Sequence, residues 1–334
     1  MSARHGLWRP ASDCGPDCLP GPGEIPAVPV ARRLGRLVAV LAMLVAGVGL
    51  AALLPVLPAR ERRAALRGWA RGTVRAFGVR LVVRGRLPRR RALVVANHGS
   101  WLDVLALLAV APARMVAKRE VRGWPLVGPL AAAAGTVFVD RARPRALPGT
   151  VRRVAAALRA GHPVAAFPEG TTWCGAAIGC RPGGGFRPAV FQAAIDAGAP
   201  VVPVRIGYRL SAGTSVRAGT SVRAGTSVRA GTGVTAGSGA GPGGGSPTTV
   251  AAFLGEETLG RSVWRVLAAR DLTVAVTVAA ALHPGRAADR RQLARVAESA
   301  VHLVPARVPA PVEPLPTGRG SRAADAAREV GLAA

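Results

Sequence analysis

ALVVANHGSWLDVLALLAV, residues 92–110, contains the fold in miniature. The opening ALVVAN is a short apolar run rich in Val, the pattern of a strand covered on both faces. The closing WLDVLALLAV is longer, rich in Leu and Ala, and free of Gly and Pro, which reads as a helix. Between them lie Asn97, His98, Gly99 and Ser100, so polar groups stand where a strand gives way to a helix.

The same alternation continues outward on both sides. RLVVRG (80–85), RMVAK (114–118), TVFVD (136–140), PVAAFP (163–168), PVVPVRI (200–206) and LTVAVTVAA (272–280) read as strands. PLVGPLAAAAG (125–135), the Arg145–Ala160 stretch, PAVFQAAIDAG (188–198) and Arg286–Leu303 read as helices. Strands separated by helices specify an α/β fold with a mostly parallel central sheet flanked by helices.

The flanks differ. Residues 1–31 carry prolines and glycines without apolar periodicity and read as a disordered tail, as do residues 305–334. Residues 32–63 read as an N-terminal membrane-inserted helix, built on the uncharged run Leu37–Ala59. That run meets the length of about 20 residues needed to cross the hydrocarbon core. Arg32, Arg33 and Arg36 precede it and Arg60, Arg62 and Arg63 follow, so loop charge does not orient it. Pro55 and Pro58 weaken its last turn. A buried core helix, or a hairpin entering one leaflet, is the other reading. Residues 64–304 form the main domain, with residues 211–247 inserted as a low-complexity loop. Within it AGTSVR occurs three times in tandem, from Ala212 to Arg229. That period is too short for a solenoid unit with its own core, so it reads as a flexible surface loop.

Of the 334 residues, 50% are hydrophobic and 4% aromatic, so the core is built from Ala, Val and Leu. The net charge of +28 directs the chain toward polyanions, either nucleic acid or an anionic membrane face. Lys118 is the only lysine, and an Arg-rich, Ala-rich chain also follows from GC-rich coding. No nucleic-acid motif accompanies the charge and stacking aromatics are scarce, so nucleic acid is not an expected partner. The four cysteines form Cys14-x3-Cys18 and Cys174-x5-Cys180. These spacings match the usual paired metal ligands poorly, so reduced thiols and no metal are expected.

Three polar clusters at strand ends carry the chemistry. The first is His98 with Asp103. Two residues five apart within one helix point about 140° away from each other. With His98 just before the helix, its ring can fold back toward Asp103 in the first turn. The carboxylate then keeps one ring nitrogen protonated and leaves the other free to accept a proton. A structural cap is the plainer reading of the same spacing. Ser100 lies between them but lacks the Gly-x-Ser-x-Gly elbow of a hydrolase nucleophile. The second cluster is Phe167-Pro168-Glu169-Gly170-Thr171-Thr172, where Gly170 permits close backbone approach and Thr171 offers a hydroxyl, suited to a phosphate or an oxyanion. The third, Gly135–Arg141, sets Arg141 where a guanidinium can grip phosphate or pair with Asp140. Together they would gather at the carboxyl edge of one sheet, where open α/β folds bind ligands.

These blocks, with Val202-Pro203-Val204 as a fourth, occur in the order of the glycerolipid acyltransferase family, which the chain resembles from about Arg80 to Val304. The resemblance, closest to the 1-acylglycerol-3-phosphate acyltransferases, implies a transfer of a fatty acyl chain from acyl-CoA or acyl carrier protein to lysophosphatidic acid. It implies His98 as general base and Asp103 as its orienting partner. Arg141, Glu169, Gly170 and Thr171 would bind the acceptor, with Lys118 as a nearby basic residue. No cofactor is implied, direct transfer is expected, and the enzyme would sit on membrane lipids at the cell membrane with its catalytic domain facing the cytoplasm. Thr172 departs from the family, many members of which have Arg there; Arg181 or Arg187 would compensate. A lyso-ornithine lipid acceptor, or a non-catalytic membrane-anchored basic protein, remain the competing readings.

Overall fold

The computed structural model describes residues 12–21, 23–175, 180, 185–211, 245–285 and 288–303. Eight strands form one sheet: β1 (Arg80–Arg84), β2 (Leu93–Ala96), β3 (Arg114–Lys118), β4 (Val137–Val139), β5 (Val164–Ala166), β6 (Val201–Ser211), β7 (Gly245–Pro247) and β8 (Leu272–Val278). The order is β1-β8-β6-β2-β5-β3-β4, with β7 attached to β6. Every pairing is parallel except those of β6 with β8 and with β7. The α/β architecture expected from the alternating pattern is present.

Among the described residues, eight α-helices accompany the strands: α1 (Val30–Leu53), α2 (Ala59–Ala76), α3 (Leu102–Val110), α4 (Val127–Ala133), α5 (Leu147–Arg159), α6 (Ala189–Ala197), α7 (Leu259–Ala268) and α8 (Arg290–Leu303). Strand β2 shows why the layers form. All four of its residues are buried. Val94 and Ala96 join α2, α3 and α7 on one face, while Leu93 and Val95 join α5, α6 and α8 on the other. Side chains alternate along a strand, so an unbroken apolar run can serve two cores at once. Phe191 on α6 is fully buried in the second core, a burial that contributes about 1.5–3 kcal/mol.

The N-terminal part differs from expectation in two ways. The expected apolar N-terminal helix is present as α1, long and apolar enough to cross a bilayer, but the range 32–63 also takes in a turn at residues 54–58 and the start of α2. Pro55 and Pro58 cause the break, because each lacks an N–H and clashes with the preceding turn. The two helices then pack as a hairpin. Trp69 of α2 donates its Nε1–H to the Met43 carbonyl of α1 at 2.8 Å. A Cβ on Gly47 would lie 2.9 Å from that nitrogen, so the glycine permits the close approach. Leu34, Val38, Leu41, Val45 and Val48 remain exposed along one side of α1.

The second difference concerns the tail expected over residues 1–31. From residue 12 on, its described part is packed on the domain. Val28 donates its N–H to Ala268 at 2.9 Å, Arg270 donates to Pro26 at 3.0 Å, and Cys14 and Val28 are buried. The backbone there is satisfied by the α7–β8 connection, a partner that composition does not reveal. Residues 1–11, the three AGTSVR copies and the expected tail at 305–334 lie outside the described residues.

Candidate active site

β2, β5, β3 and β4 are neighbours and run parallel, so their carboxyl ends lie along one edge. That edge carries Asn97 and His98 after β2, Phe167–Thr172 after β5, Lys118 at the end of β3, and Asp140 and Arg141 after β4.

Asn97 controls how the chain leaves the sheet. The β2–β6 register ends at Ala96 opposite Val204. At the next position the Asn97 side chain takes over the pairing, donating to the Ile206 carbonyl at 2.9 Å and accepting from its N–H at 2.7 Å. The backbone is thereby free to turn, and His98 folds back as its spacing requires.

His98 Nδ1 lies 3.0 Å from Asp103 Oδ2. The same oxygen accepts the backbone N–H groups of Gly99 and Ser100, both at 2.8 Å. The second oxygen, Oδ1, accepts the Tyr208 hydroxyl at 2.5 Å. Asp103 is fully buried, so its charge is held by these four donors rather than by water. The imidazole stacks on the Phe167 ring, with centroids 4.0 Å apart and planes 13° from parallel. Its side chain keeps 20% exposure, and with Nδ1 directed at the carboxylate, Nε2 is the nitrogen left for a substrate.

Glu169 sits against the histidine's backbone. Its carboxylate is buried, and Oε2 accepts the His98 backbone N–H at 2.6 Å. Gly170 adopts a φ of 76°, a conformation natural to glycine, and its carbonyl accepts from Arg141 Nη1 at 2.6 Å. Arg141 and the Phe167–Thr172 loop are therefore brought together. The Asp140 partner anticipated for Arg141 instead pairs with Arg119 at 3.1 Å. Lys118 is exposed and reaches over the Trp124 ring at 5.6 Å. Thr171 stays partly exposed on the same loop, while the Thr172 hydroxyl donates to the Phe253 carbonyl.

Sequence reasoning missed Tyr208. It lies two residues beyond the PVVPVRI run, on the same face of β6 as Val204 and Ile206. Continuing the two-residue period past Gly207 would have found it. Burial, with the Asp103 carboxylate beside it, pushes its hydroxyl well above the ordinary phenol range. Tyr208 is the only tyrosine in the chain, so tyrosinate absorbance reports it alone. On alkaline titration the unfolded chain releases this proton near pH 10 while the folded chain retains it. Stability is thus complete below about pH 10 and falls above it by about 1.4 kcal/mol per pH unit. The expected result is no tyrosinate band before unfolding; a normal transition near pH 10 in the folded protein would contradict the burial.

At the carboxyl edge of this α/β sheet a buried carboxylate orients a partly exposed imidazole, an arrangement with one ring nitrogen free to exchange a proton. The acyltransferase family profile matches residues 80–207, which includes that site. The lyso-ornithine lipid O-acyltransferase of Pseudomonas aeruginosa is 33% identical over 285 residues, covering 81% of this chain and 93% of that protein. The 1-acyl-sn-glycerol-3-phosphate acyltransferase of Neisseria gonorrhoeae is 38% identical over 151 residues, covering 45% of this chain and 57% of that one. The chain thus spans little more than half the length of some of the relatives it matches. The crystal structure of the 1-acyl-sn-glycerophosphate (LPA) acyltransferase PlsC from Thermotoga maritima shares the fold, with a TM-score of 0.54 and 19% identity over 84% of this chain and 97% of that one. The chain belongs to the glycerolipid acyltransferase family.

Proposed function

We propose that this protein transfers a fatty acyl chain from acyl-CoA or acyl carrier protein to the free hydroxyl of 1-acylglycerol-3-phosphate, giving phosphatidic acid. The observation that carries the reading is the His98–Asp103 pair, with Nδ1 held at 3.0 Å and Nε2 left to work. His98 Nε2 takes the alcohol proton as the alcohol oxygen attacks the thioester carbonyl. The C–O bond forms, the C–S bond breaks, and the leaving thiolate takes the proton back from the imidazolium. Asp103 keeps the ring in the tautomer that can accept. General-base assistance of this kind gives about 10²–10⁴-fold. The thioester is already activated, so the chemistry calls for no cofactor and no acyl-enzyme intermediate.

Arg141, Gly170, Thr171 and Lys118 are assigned to the acceptor's phosphate and glycerol, and Glu169 to holding the His98 backbone. The exposed apolar side of α1 is assigned to the bilayer. Arg36 on α1 donates to the Leu267 and Ala269 carbonyls, both at 2.8 Å, and Trp69 clasps α1 at Met43. A helix fastened along its length to the domain suits insertion into one leaflet better than a crossing. Surface arginines add about 1 kcal/mol each near anionic lipid. Use of either acyl donor supports a domain on the cytoplasmic face of the cell membrane.

The relative aligned over most of this chain is named for lyso-ornithine lipid, which supports that acceptor as a second reading. The test is a competition assay on the full chain in membranes, with both lyso-lipids present and each donor supplied in turn. Predominant acylation of lysophosphatidic acid is expected. Acylation of lyso-ornithine lipid alone replaces the acceptor, and transfer to neither overturns the enzyme reading.

A further inference from the structure

Cys14 and Cys18 lie in the N-terminal segment, and Cys174 and Cys180 follow the Phe167–Thr172 block. Reduced thiols without a metal were expected from the spacing inside each pair. The structure assembles the two pairs into one group, with all four sulfurs within 4.8 Å of one another. The sulfurs of Cys18 and Cys180 are 3.7 Å apart. Four sulfurs bound to one zinc ion at about 2.3 Å in a tetrahedron stand about 3.8 Å from each other. The observed group needs only side-chain adjustments of about an ångström to meet that geometry.

The surroundings also fit a thiolate site. Cys174 donates its backbone N–H to Cys14 Sγ at 3.3 Å, the kind of outer hydrogen bond that steadies a metal-bound sulfur. Trp173, Ala252 and Leu254 bury the group, with Leu19 packed against them. Cys14 is itself buried and the other three are half-buried. Neither the proton-transfer chemistry nor the acceptor site uses these residues.

We propose that Cys14, Cys18, Cys174 and Cys180 bind one zinc ion as a closed tetrathiolate site. Four soft sulfur ligands in a tetrahedral arrangement select zinc over hard cations. With all four positions taken by protein, the ion is structural and has no place for substrate. Binding exchanges Zn²⁺ for the four thiol protons, which pass to solvent, and no electron moves. The site fastens the N-terminal segment to the loop that supports the histidine: Trp173 donates its N–H to the His98 carbonyl at 3.1 Å. A zinc ion at Cys174 therefore lies one residue from that contact.

The experiment uses the full chain, expressed with zinc and purified without chelator or polyhistidine tag. Metal content is measured by mass spectrometry, and thiols are counted before and after denaturation. About one zinc per chain is expected, with thiols protected in the native protein and four reactive once it is unfolded in chelator. The double variant Cys14→Ser/Cys180→Ser is expected to bring zinc to background. Should that variant not fold, cobalt exchange into the native protein gives an independent readout, a sulfur-to-cobalt absorption band of tetrahedral type. Metal-free protein after zinc loading, with either free thiols or two disulfides, overturns the proposal. Stoichiometric iron in place of zinc overturns the choice of ion.

Discussion

His98→Ala lowers the acyl-transfer rate by about 10²–10⁴-fold while the chain remains folded. The rate falls because Nε2 is the group left to take the alcohol proton, and alanine offers no replacement. The fold survives because the ring is partly exposed and contributes one hydrogen bond and one stacking contact. Its loss costs about 1–2 kcal/mol. The measurement is the initial rate of carrier release with lysophosphatidic acid, paired with a thermal melt of the same preparation. A variant retaining wild-type turnover would remove His98 from the mechanism and leave the non-catalytic, basic lipid-binding reading standing.

Asp103→Ala is expected to fail in both respects. The carboxylate is the common acceptor for Gly99 N–H, Ser100 N–H, His98 Nδ1–H and the Tyr208 hydroxyl. Removing it strands four donors at a fully buried position, which costs about 3–5 kcal/mol. The histidine also loses the group that fixes its tautomer, so the rate per folded molecule falls, though no further than in His98→Ala. Asp103→Asn separates the two effects. Its amide retains the shape and one oxygen, so the urea midpoint drops less than for alanine. The carboxamide holds the imidazole less firmly in the accepting tautomer, and turnover still falls by about 10³–10⁴-fold. Equal activity in Asp103→Asn and wild type would show that the carboxylate serves only the loop.

The strand–helix alternation was legible because β2 and its neighbours are unbroken apolar runs and α3 is a clean Leu/Ala helix. The strand-to-helix junction made a fold-back of His98 onto Asp103 readable, but its spacing fits a cap equally, and the roles came from the order of the family's blocks. The helix α2 was not legible. Its buried face is spread over Leu66, Ala70, Thr73 and Val74 amid arginines, so its apolar signal is diluted. Asn97 bonds across to Ile206, far away in sequence, and local spacing carries no trace of that pairing; the period of β6 points to Tyr208 as inward-facing but not to Asp103 as its partner. The bond from the His98 N–H to Glu169 joins two blocks 71 residues apart, which neither block reveals alone. The four thiols show the same limit: spacing within a pair says little when two distant segments complete the set.

Strand β7 pairs antiparallel with the end of β6. Their pairing is set by three rungs, Arg209 with Pro247, Leu210 with Ser246 and Ser211 with Gly245. The first AGTSVR copy starts at the next residue, Ala212. Since the rungs determine the register, the number of copies between them does not. Halving or doubling the intervening chain changes its closure cost by only about 0.6 kcal/mol. The β6–β7 pairing thus holds its register whatever the copy number between Ser211 and Gly245.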